Sequence, residues 1–212
     1  MESREIIIKE AARMFAESGI KSVRMDDIVA ACGISKRTLY ELFDDRENFI
    51  RQSLYYLFEE QRNILKQRLE KASNVIDEFK IIFDHGPDFR NAIRRVMIDL
   101  IKFYPKIFEE FTKDHHKAVV EDNEQRLRRG IEQGLFLSAI DTEFIARSLI
   151  SYLYGLHQDL MNVKSTFLLT TTSGMSDSNP ETWTLAIMYF LRGLTTEKGR
   201  RYMDEKILKV IE

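Results

Sequence analysis

Residues 23–43 have the sequence VRMDDIVAACGISKRTLYELF. Their apolar residues recur at intervals of three or four on both sides of Gly33, which is the spacing of amphipathic helices. Asp26 and Asp27 fall in the first turn of the first helix, where the helix dipole favours carboxylates. Gly33 can close that helix, and Ser35 is a suitable N-cap for the next one. Two short helices joined by so tight a turn predict a helix-turn-helix.

A further helix precedes this stretch, and its apolar residues lie about one helical turn apart. It is predicted from about residue 3 to residue 18, and Gly19 follows at the place of a left-handed C-terminal cap. The residues predicted to share its buried face are Ile8, Ala11, Ala12 and Phe15. The amino-terminal region is therefore predicted to contain three helices.

The rest of the chain continues the helical pattern in longer segments. We predict a helix over residues 46–72 and two long apolar helices over residues 142–160 and 181–194. Breaks are predicted at residues 85–87, before Pro105, at 130–141 and at 162–180. Residues 165–179 lack Lys and Arg and contain several hydroxyl residues, so they are predicted to be a loop, although residues 166–169 could pair locally as a strand.

Composition agrees with an all-α fold. The 212 residues include nine Gly and three Pro, about half the average share, which argues against a turn-rich all-β architecture. The apolar fraction of 44% is enough to fill a core. We predict a helix-turn-helix domain at residues 1–46, followed by a larger helical domain at residues 47–212.

Three features bear on the compartment in which the protein works. The single cysteine, Cys32, excludes an intramolecular disulfide and fits a reducing environment. The amino terminus lacks the apolar segment of a secretion signal, and no run of about 18 apolar residues occurs. We therefore expect a cytoplasmic protein with no membrane segment.

The net charge of −2 gives no sign of a nucleic-acid partner. Residues 1–50 are not basic either, since eight Lys and Arg stand against ten Asp and Glu. The positions of the cations matter more than their sum. Five of them lie at or beside predicted helix starts: Lys21, Arg24, Lys36, Arg37 and Arg46. The balanced charge predicts weak non-specific DNA binding and a greater reliance on a specific site.

Lys36 and Arg37 stand in the first turn of a predicted helix, where the helix dipole disfavours cations. An external anion would reverse this preference, because the free backbone N–H groups and both side chains could bind it. DNA phosphate is the natural candidate, and Arg37 is also suited to bidentate contact with guanine in the major groove. The alternative is that both are ordinary solvated surface cations.

Residues 22–50 resemble the DNA-binding region of the tetracycline-repressor (TetR) family of bacterial transcription regulators. The resemblance is carried by the spacing of three groups: Gly33-Ile34-Ser35, Thr38-Leu39-Tyr40 and Phe43. It is strong over residues 1–50 and weaker at residues 131–134 and 193–199. It implies an all-α protein that binds DNA and regulates transcription.

The resemblance also implies roles for individual residues. Thr38 and Tyr40 are expected to contact phosphate or base edges, and Arg46 holds the place of a lysine that binds the DNA backbone. Leu39 and Phe43 are expected to pack in the core. The full set of predicted DNA-binding residues is Arg24, Ser35, Lys36, Arg37, Thr38, Tyr40 and Arg46.

Three residues depart from the family pattern. Arg37 replaces a residue that is usually small, so it could add a base contact. Leu42 replaces a frequent histidine, and it either meets a thymine methyl group or packs internally. Glu41 is either an acceptor for cytosine N4 or a partner of Arg37. We favour the partner, because a free carboxylate near phosphate costs energy.

The resemblance further implies a small-molecule effector and a homodimer, both served by the larger domain. The predicted effector pocket consists of Phe58, Phe83, Phe103, Phe111, Tyr152 and His157. The predicted dimer interface, on two helices that are apolar over a broad stripe, consists of Leu149, Leu153, Leu156, Trp183, Ile187, Phe190 and Leu191. For both sets the alternative is ordinary core packing.

The predicted function is a homodimeric repressor that a small-molecule effector releases from pseudo-palindromic operator DNA. The chain contains no nucleophile elbow, P-loop or metalloprotease motif, so we predict neither an enzyme nor a metal or cofactor. The alternative is an all-α ligand-binding protein or enzyme whose amino-terminal helices mediate protein contacts.

Overall fold

The computed structural model describes residues 2–84, 87–161 and 180–208. Within these ranges the regular structure is helical, and an isolated β-bridge pairs Phe136 with Thr195. The helices in chain order are α1 (Glu2–Ser18), α2 (Met25–Cys32), α3 (Lys36–Phe43), α4 (Arg46–Leu69), α5 (Val75–Phe83), α6 (Pro87–Phe103), α7 (Pro105–Glu132), α8 (Thr142–Met161), α9 (Pro180–Arg192), α10 (Glu197–Tyr202) and a π-helical segment, Met203–Leu208. The predicted all-α fold class is confirmed.

The chain divides into two compact units. The first consists of Met1–Lys66 with Gly86–Thr112, and the second of Gln67–His85 with Lys113–Glu212. Helices α4 and α7 therefore contribute residues to both units. The predicted amino-terminal domain lies wholly in the first unit, and its boundary at residue 46 stays a prediction.

Buried side chains of α1, α3 and α4 form much of the core of the first unit. Phe43 at the end of α3 packs edge-on against Phe49 of α4, with ring centroids 4.8 Å apart, and Phe49 meets Phe15 of α1 at 6.3 Å. Leu39 is buried in the same cluster, so the prediction that Leu39 and Phe43 are core residues is confirmed. The predicted buried face of α1 is confirmed as well, although Ile8 is only partly buried.

Helix α1 ends at the predicted cap. Gly19 has a φ of +81°, and its N–H donates to the carbonyl oxygen of Phe15 at 2.9 Å. The same turn contacts α6, because Asp99 Oδ2 accepts a hydrogen bond from the backbone N–H of Lys21 at 2.9 Å. A Cβ atom at residue 19 would lie 2.7 Å from that oxygen. Glycine is therefore required here by backbone conformation and by a close contact.

Helix α2 begins and ends with short-range contacts. The Asp27 carboxylate accepts a hydrogen bond from the backbone N–H of Arg24 at 2.8 Å, which fixes the first turn. Gly33 follows the last residue with a φ of +63°, so its predicted role in closing the helix is confirmed. In the described part of the chain, no atom outside residues 32–34 lies within 4 Å of the position that a Cβ of Gly33 would occupy.

The second unit has its own core, built from α5, α7, α8 and α9. Phe79 and Phe83 of α5 stack with ring centroids 6.2 Å apart, and Phe136 meets Phe79 edge-on at 6.1 Å. The ring of Phe136 also covers Gly130, which has no side chain to obstruct it. Gly130 therefore serves packing inside α7, and the helix continues past it to Glu132.

Two segments distant in sequence meet in the second unit. The backbone N–H of Thr196 donates to the carbonyl oxygen of Leu135 at 3.0 Å, and Lys198 Nζ donates to that of Gln133 at 2.9 Å. Gly199 lies against the Leu135 carbonyl so closely that a Cβ would collide with it. These segments carry the weaker part of the family resemblance, and their pairing ties the end of α7 to the start of α10.

The helix bounds agree closely with the sequence prediction. Helix α4 ends at Leu69 rather than at residue 72, and α8 begins at Thr142 as predicted. The loop predicted over residues 165–179, with its alternative strand at 166–169, lies outside the described residues. No helix in the described part of the chain is long and apolar enough to cross a membrane.

We expect Gly19→Ala to destabilise the protein more than Gly33→Ala. Each substitution forces an alanine into a positive φ, which costs about 1–2 kcal/mol. Gly19→Ala also presses a methyl group against the Asp99 carboxylate, so its total loss should reach about 2–4 kcal/mol. Thermal denaturation followed by circular dichroism measures both. Asp99→Ala should recover part of the loss in the Gly19 variant, and equal losses for the two glycines would contradict this account.

Candidate nucleic-acid interface

Ser35 determines where α3 begins. Its Oγ accepts a hydrogen bond from the backbone N–H of Thr38 at 3.0 Å and lies 2.8 Å from Thr38 Oγ1, so the predicted N-cap is confirmed. The first N–H groups of any α-helix lack partners within the helix and point out of its amino-terminal end. The start of α3 can therefore bind an anion.

Helix α3 has one buried and one exposed face. Leu39 and Phe43 are about 1% exposed, whereas Tyr40 is 44% exposed and Lys36 and Arg37 are exposed beside it. Residues three and four positions apart are neighbours on a helix surface, and Tyr40 stands four positions after Lys36 and three after Arg37, so the two cations and the phenol form one patch. This patch, made by Lys36, Arg37 and Tyr40, is called the cationic face below.

Each cation of this face forms an ion pair with a carboxylate. Lys36 Nζ lies 2.6 Å from Asp26 Oδ1 of α2, and this contact raises the pKa of Lys36 above its ordinary value. Arg37 Nε donates to Glu41 Oε1 at 2.7 Å, so the predicted pairing of these two residues is confirmed. All four side chains are more than half exposed, and exposed ion pairs contribute little to stability. An external phosphate can therefore replace either carboxylate at small cost.

Two residues near the end of α3 shape its junction with α4. Leu42 packs partly against the core of the first unit, which is one of its two predicted positions. Asp44 has a φ of +61° and a ψ of −64°, and the N–H of Asp45 donates across it to the carbonyl oxygen of Phe43 at 2.7 Å. This conformation is strained for a residue with a side chain. The packing of Phe43 and α4 holds the turn and thereby fixes the direction of α3.

The two remaining predicted cations have different surroundings. Arg24 is exposed just before α2. Arg46, the first residue of α4, is partly buried: its Nε donates to the Tyr104 hydroxyl at 2.9 Å and its Nη2 to the carbonyl oxygen of Val23 at 3.2 Å. Arg46 thereby links the residues before α2 to the residue between α6 and α7. Its contact with DNA phosphate stays a prediction.

Asp26 and Tyr104 help to organise this interface, and the sequence alone does not predict the contacts that they make. Asp26 reads as a carboxylate that favours the start of α2, and its contact with Lys36 depends on how the two short helices cross. Tyr104 lies 58 positions after Arg46, and no local pattern links them. For the pair of Asp26 and Lys36, the sequence offers one indication: an acid stands at the start of one helix and a cation at the start of the next.

The predicted effector residues lie in several places. Phe58 and Phe111 are in contact within the first unit, with ring centroids 4.3 Å apart. Phe83 is buried in the core of the second unit, and Phe103 is 44% exposed beneath Lys21 Nζ, which is 4.3 Å from the ring centroid. The side chains of Tyr152 and His157 lie outside the described residues.

The predicted dimer residues also separate into groups. Leu149, Ile187 and Leu191 are buried in the core of the second unit, whereas Phe190 is 45% exposed. The side chains of the other three, Leu153, Leu156 and Trp183, lie outside the described residues. The role of this set at an interface stays a prediction.

A groove of about 860 Å³ opens on the second unit. Its polar lining includes Asn74, Gln133, Lys198, Arg201 and Tyr202. Many of these groups already have partners, as Tyr202 does: its hydroxyl donates to the Asp77 carboxylate at 2.9 Å. None of the four predicted effector residues with described side chains lines it. In the described ranges, no group of His, Cys, Asp or Glu residues could hold a metal ion.

Residues 7–52 match the sequence model of the family described as bacterial regulatory proteins, tetR family. The match spans most of α1, all of α2 and α3 and the start of α4, and thus includes the cationic face. This region belongs to the tetR family. The chain therefore carries the DNA-binding region of a transcriptional regulator, as predicted, and the matched family is one of regulatory proteins. Among curated protein sequences, none matches the chain.

Solved structures of transcriptional regulators, two of the three below described as members of the TetR family, share the fold over most of the chain. A transcriptional regulator from Saccharomonospora viridis in complex with choline is 18% identical, with a TM-score of 0.70 over 92% of this chain and 99% of that one. A regulator from Cytophaga hutchinsonii is 13% identical, with a TM-score of 0.71 over 93% and 98%. A third, from Pectobacterium atrosepticum, is 17% identical, with a TM-score of 0.67 over 92% and 95%. At these identities the likeness establishes the fold alone.

We expect Asp26→Asn to strengthen the binding of the protein to DNA from its own promoter region. The change frees Lys36 from its carboxylate and removes a negative charge near the incoming phosphates. The affinity should rise by about threefold to tenfold at moderate salt, and the gain should shrink as salt increases. Fluorescence anisotropy with labelled duplex measures the change.

The matched control is Glu143→Gln, which removes an exposed carboxylate from the start of α8, outside the helix-turn-helix. Its DNA affinity should equal that of the wild type. An unchanged or weaker affinity for Asp26→Asn would show that Lys36 is not engaged by phosphate.

Proposed function

We propose that the chain is a homodimeric, cytoplasmic transcriptional repressor whose α3 reads operator DNA and which a small-molecule effector releases. The observation that carries the proposal is the cationic face of Lys36, Arg37 and Tyr40, exposed at the start of α3 within the family-matched region. We take residues 1–46 as the DNA-binding domain and residues 47–212 as the domain that binds effector and forms the dimer.

In the proposed complex, α3 enters the major groove by its amino-terminal end. Lys36 exchanges the Asp26 carboxylate for a phosphate, and Arg37 leaves Glu41 to donate to guanine O6 and N7. Tyr40 donates its hydroxyl to phosphate or to a base edge. The remaining predicted contacts, all to the DNA backbone or base edges, are those of Arg24, Ser35, Thr38 and Arg46.

We propose that the dimer forms through apolar surface that α8 and α9 leave exposed. Leu185, Tyr189 and Phe190 of α9 are 42%, 53% and 45% exposed, and their spacing puts them on one side of the helix. Phe144 of α8 is 64% exposed. Exposed apolar patches mark association surfaces, and a second copy can cover this one with the same patch under two-fold symmetry. Of the predicted interface residues, Phe190 belongs to this surface.

The proposed effector acts by binding one conformation of the dimer more tightly than the other. The conformation it favours spaces the two α3 helices in a way that does not match successive major grooves. The choline complex of the regulator from Saccharomonospora viridis supports a small-molecule ligand for a protein of this fold. The aromatic residues predicted for the pocket are candidates for its apolar wall.

The DNA-binding proposal is tested with duplex from the chain's own promoter region. Arg37→Ala should weaken specific binding by about tenfold to a hundredfold, because a bidentate base contact is worth about 1–3 kcal/mol. Lys36→Ala should weaken specific and random duplex alike and lower the salt dependence by about one phosphate contact. Fluorescence anisotropy across a salt series measures both.

Arg147→Ala serves as the control, since Arg147 pairs with Glu143 four residues away, as Arg37 does with Glu41. It should bind like the wild type. Specific binding by the wild type that does not depend on salt, or that survives both α3 substitutions, would overturn the DNA-binding role of this face.

The dimer proposal is tested with Tyr189→Lys combined with Phe190→Lys. Because both side chains are about half exposed, the substitutions should leave the core of the second unit folded. Buried lysines across a two-fold interface repel each other, so sedimentation should show a monomer, and operator affinity should fall. Ile6→Lys changes a residue of α1 that is 61% exposed and should leave the mass unchanged. A double variant that stays dimeric would exclude this surface.

A further inference from the structure

Helix α7 carries a polar residue on its apolar stripe. Val120 and Leu127 both belong to the core of the second unit. Asn123 lies three positions after the first and four before the second, so it shares their face of the helix. It is 3% exposed. A buried amide needs hydrogen-bond partners in the protein, because burial removes its hydrogen bonds to water.

Asn123 and its neighbour on the next turn, Arg126, each have one buried polar atom without such a partner. Within the described part of the chain, Asn123 Oδ1 accepts no hydrogen bond and Arg126 Nε donates none. The Arg126 side chain is 13% exposed. Residues three apart are neighbours on a helix surface, so the residues that carry the unmet acceptor and the unmet donor lie side by side on α7.

The Glu78 carboxylate beside Arg126 is engaged mainly by another arginine. Glu78 of α5 accepts two hydrogen bonds from Arg129, at 2.8 and 2.7 Å, in a bidentate pair. Arg126 Nε lies 3.4 Å from Glu78 Oε2, in an ion pair whose N–H is too poorly aligned with the carboxylate for a well-formed hydrogen bond. Burial lowers the pKa of Arg126 from its ordinary value, although the acids Asp122 and Glu78 oppose the shift. The geometry of α5 and α7 thus holds a guanidinium in place with one donor unused.

We propose that Asn123 and Arg126 form the polar anchor of the effector site, and that the effector is a neutral, largely apolar molecule with a hydroxyl group. A hydroxyl oxygen can accept from Arg126 Nε and donate to Asn123 Oδ1 at the same time. The inference rests on the proposed effector-responsive repressor and names the chemistry of its ligand.

The charges around the anchor exclude a carboxylate as the anchored group. Arg126 and Arg129 are balanced by Glu78 and Asp122, so no positive charge is left for an anion to neutralise. A carboxylate would also direct lone pairs at Asn123 Oδ1, which itself needs a donor. The apolar residues on either side of Asn123 favour a hydrocarbon body beyond the hydroxyl.

The test uses the full chain with four probes: 1-hexanol and phenol carry a hydroxyl, anisole lacks its donor hydrogen, and hexanoate carries a charge. Saturation-transfer NMR titrations are run on the wild type, Asn123→Leu, Arg126→Met and Arg128→Met. Arg128 is a matched control, because it lies on the same helix but is 63% exposed. Asn123→Leu removes the amide with little change in volume, so this variant should keep the fold even if the loss of Arg126 does not.

We expect hydroxyl probes to bind the wild type and the Arg128 variant alike, and to bind the Asn123 and Arg126 variants about tenfold more weakly, as loss of one hydrogen bond implies. Anisole and hexanoate should bind the wild type more weakly than the hydroxyl probes do. The proposal is overturned if no hydroxyl probe binds the wild type, if all four proteins bind equally, or if hexanoate binds best. The first two results would mean that buried water, with the same hydrogen-bonding chemistry, occupies the anchor.

A second measurement separates this proposal from the proposed function. The hydroxyl probes are added to the wild-type complex with operator DNA, and they should lower its affinity in the wild type but not in Asn123→Leu. Probe binding without an effect on DNA affinity would overturn the effector assignment. Failure of the wild type to bind operator DNA in the absence of any probe would overturn the proposed repressor function and leave the probe-binding result standing.

Discussion

A helix of eight residues is not stable by itself in water, so α3 depends on the burial of its apolar side. Leu39 and Phe43 supply that side, and Phe43 packs on Phe49 at the start of the next helix. Because core side chains interdigitate at crystal-like density, this packing also fixes the direction of the helix. The strained backbone at Asp44 is tolerated for the same reason. The surface proposed to read DNA is thus positioned by residues on the opposite, buried side of the helix.

The electrostatics of the same region follow from exposure. A net charge of −2 does not prevent the chain from presenting cations, because Lys36 and Arg37 are both exposed at the start of α3. Lys36 and Arg37 are held by Asp26 and Glu41 in pairs that water already weakens. Exposed pairs of this kind contribute little to stability, so in the proposed complex they are exchanged for phosphate at small cost. Charge balance and sequence-specific DNA binding are therefore compatible in this protein.

In the second unit, by contrast, polar groups without hydrogen-bond partners are buried. Arg129 and Glu78 form a bidentate pair, while the neighbouring Arg126 and Asn123 keep one donor and one acceptor unused at low exposure. An unmet polar group in a core costs stability, so apolar residues would have been favoured there if packing alone mattered. Together with the exposed apolar side of α9, this leaves two features of the unit that folding by itself does not explain.

Features that depend on neighbouring residues in the chain can be predicted from the amino-acid sequence. Caps and turn residues such as Ser35 and Gly33 act over three or four positions, so helix bounds, the helix-turn-helix and the family could be predicted. Whether an apolar stripe packs in the core or at an interface could not be predicted. Leu149 has the spacing of either, and only the folded chain shows it buried in its own unit. Arg46 likewise has the position of a DNA contact, yet Tyr104 binds it from 58 residues away. Periodicity along one helix records which residues share a face, whereas the neighbour that covers that face depends on how all the helices pack.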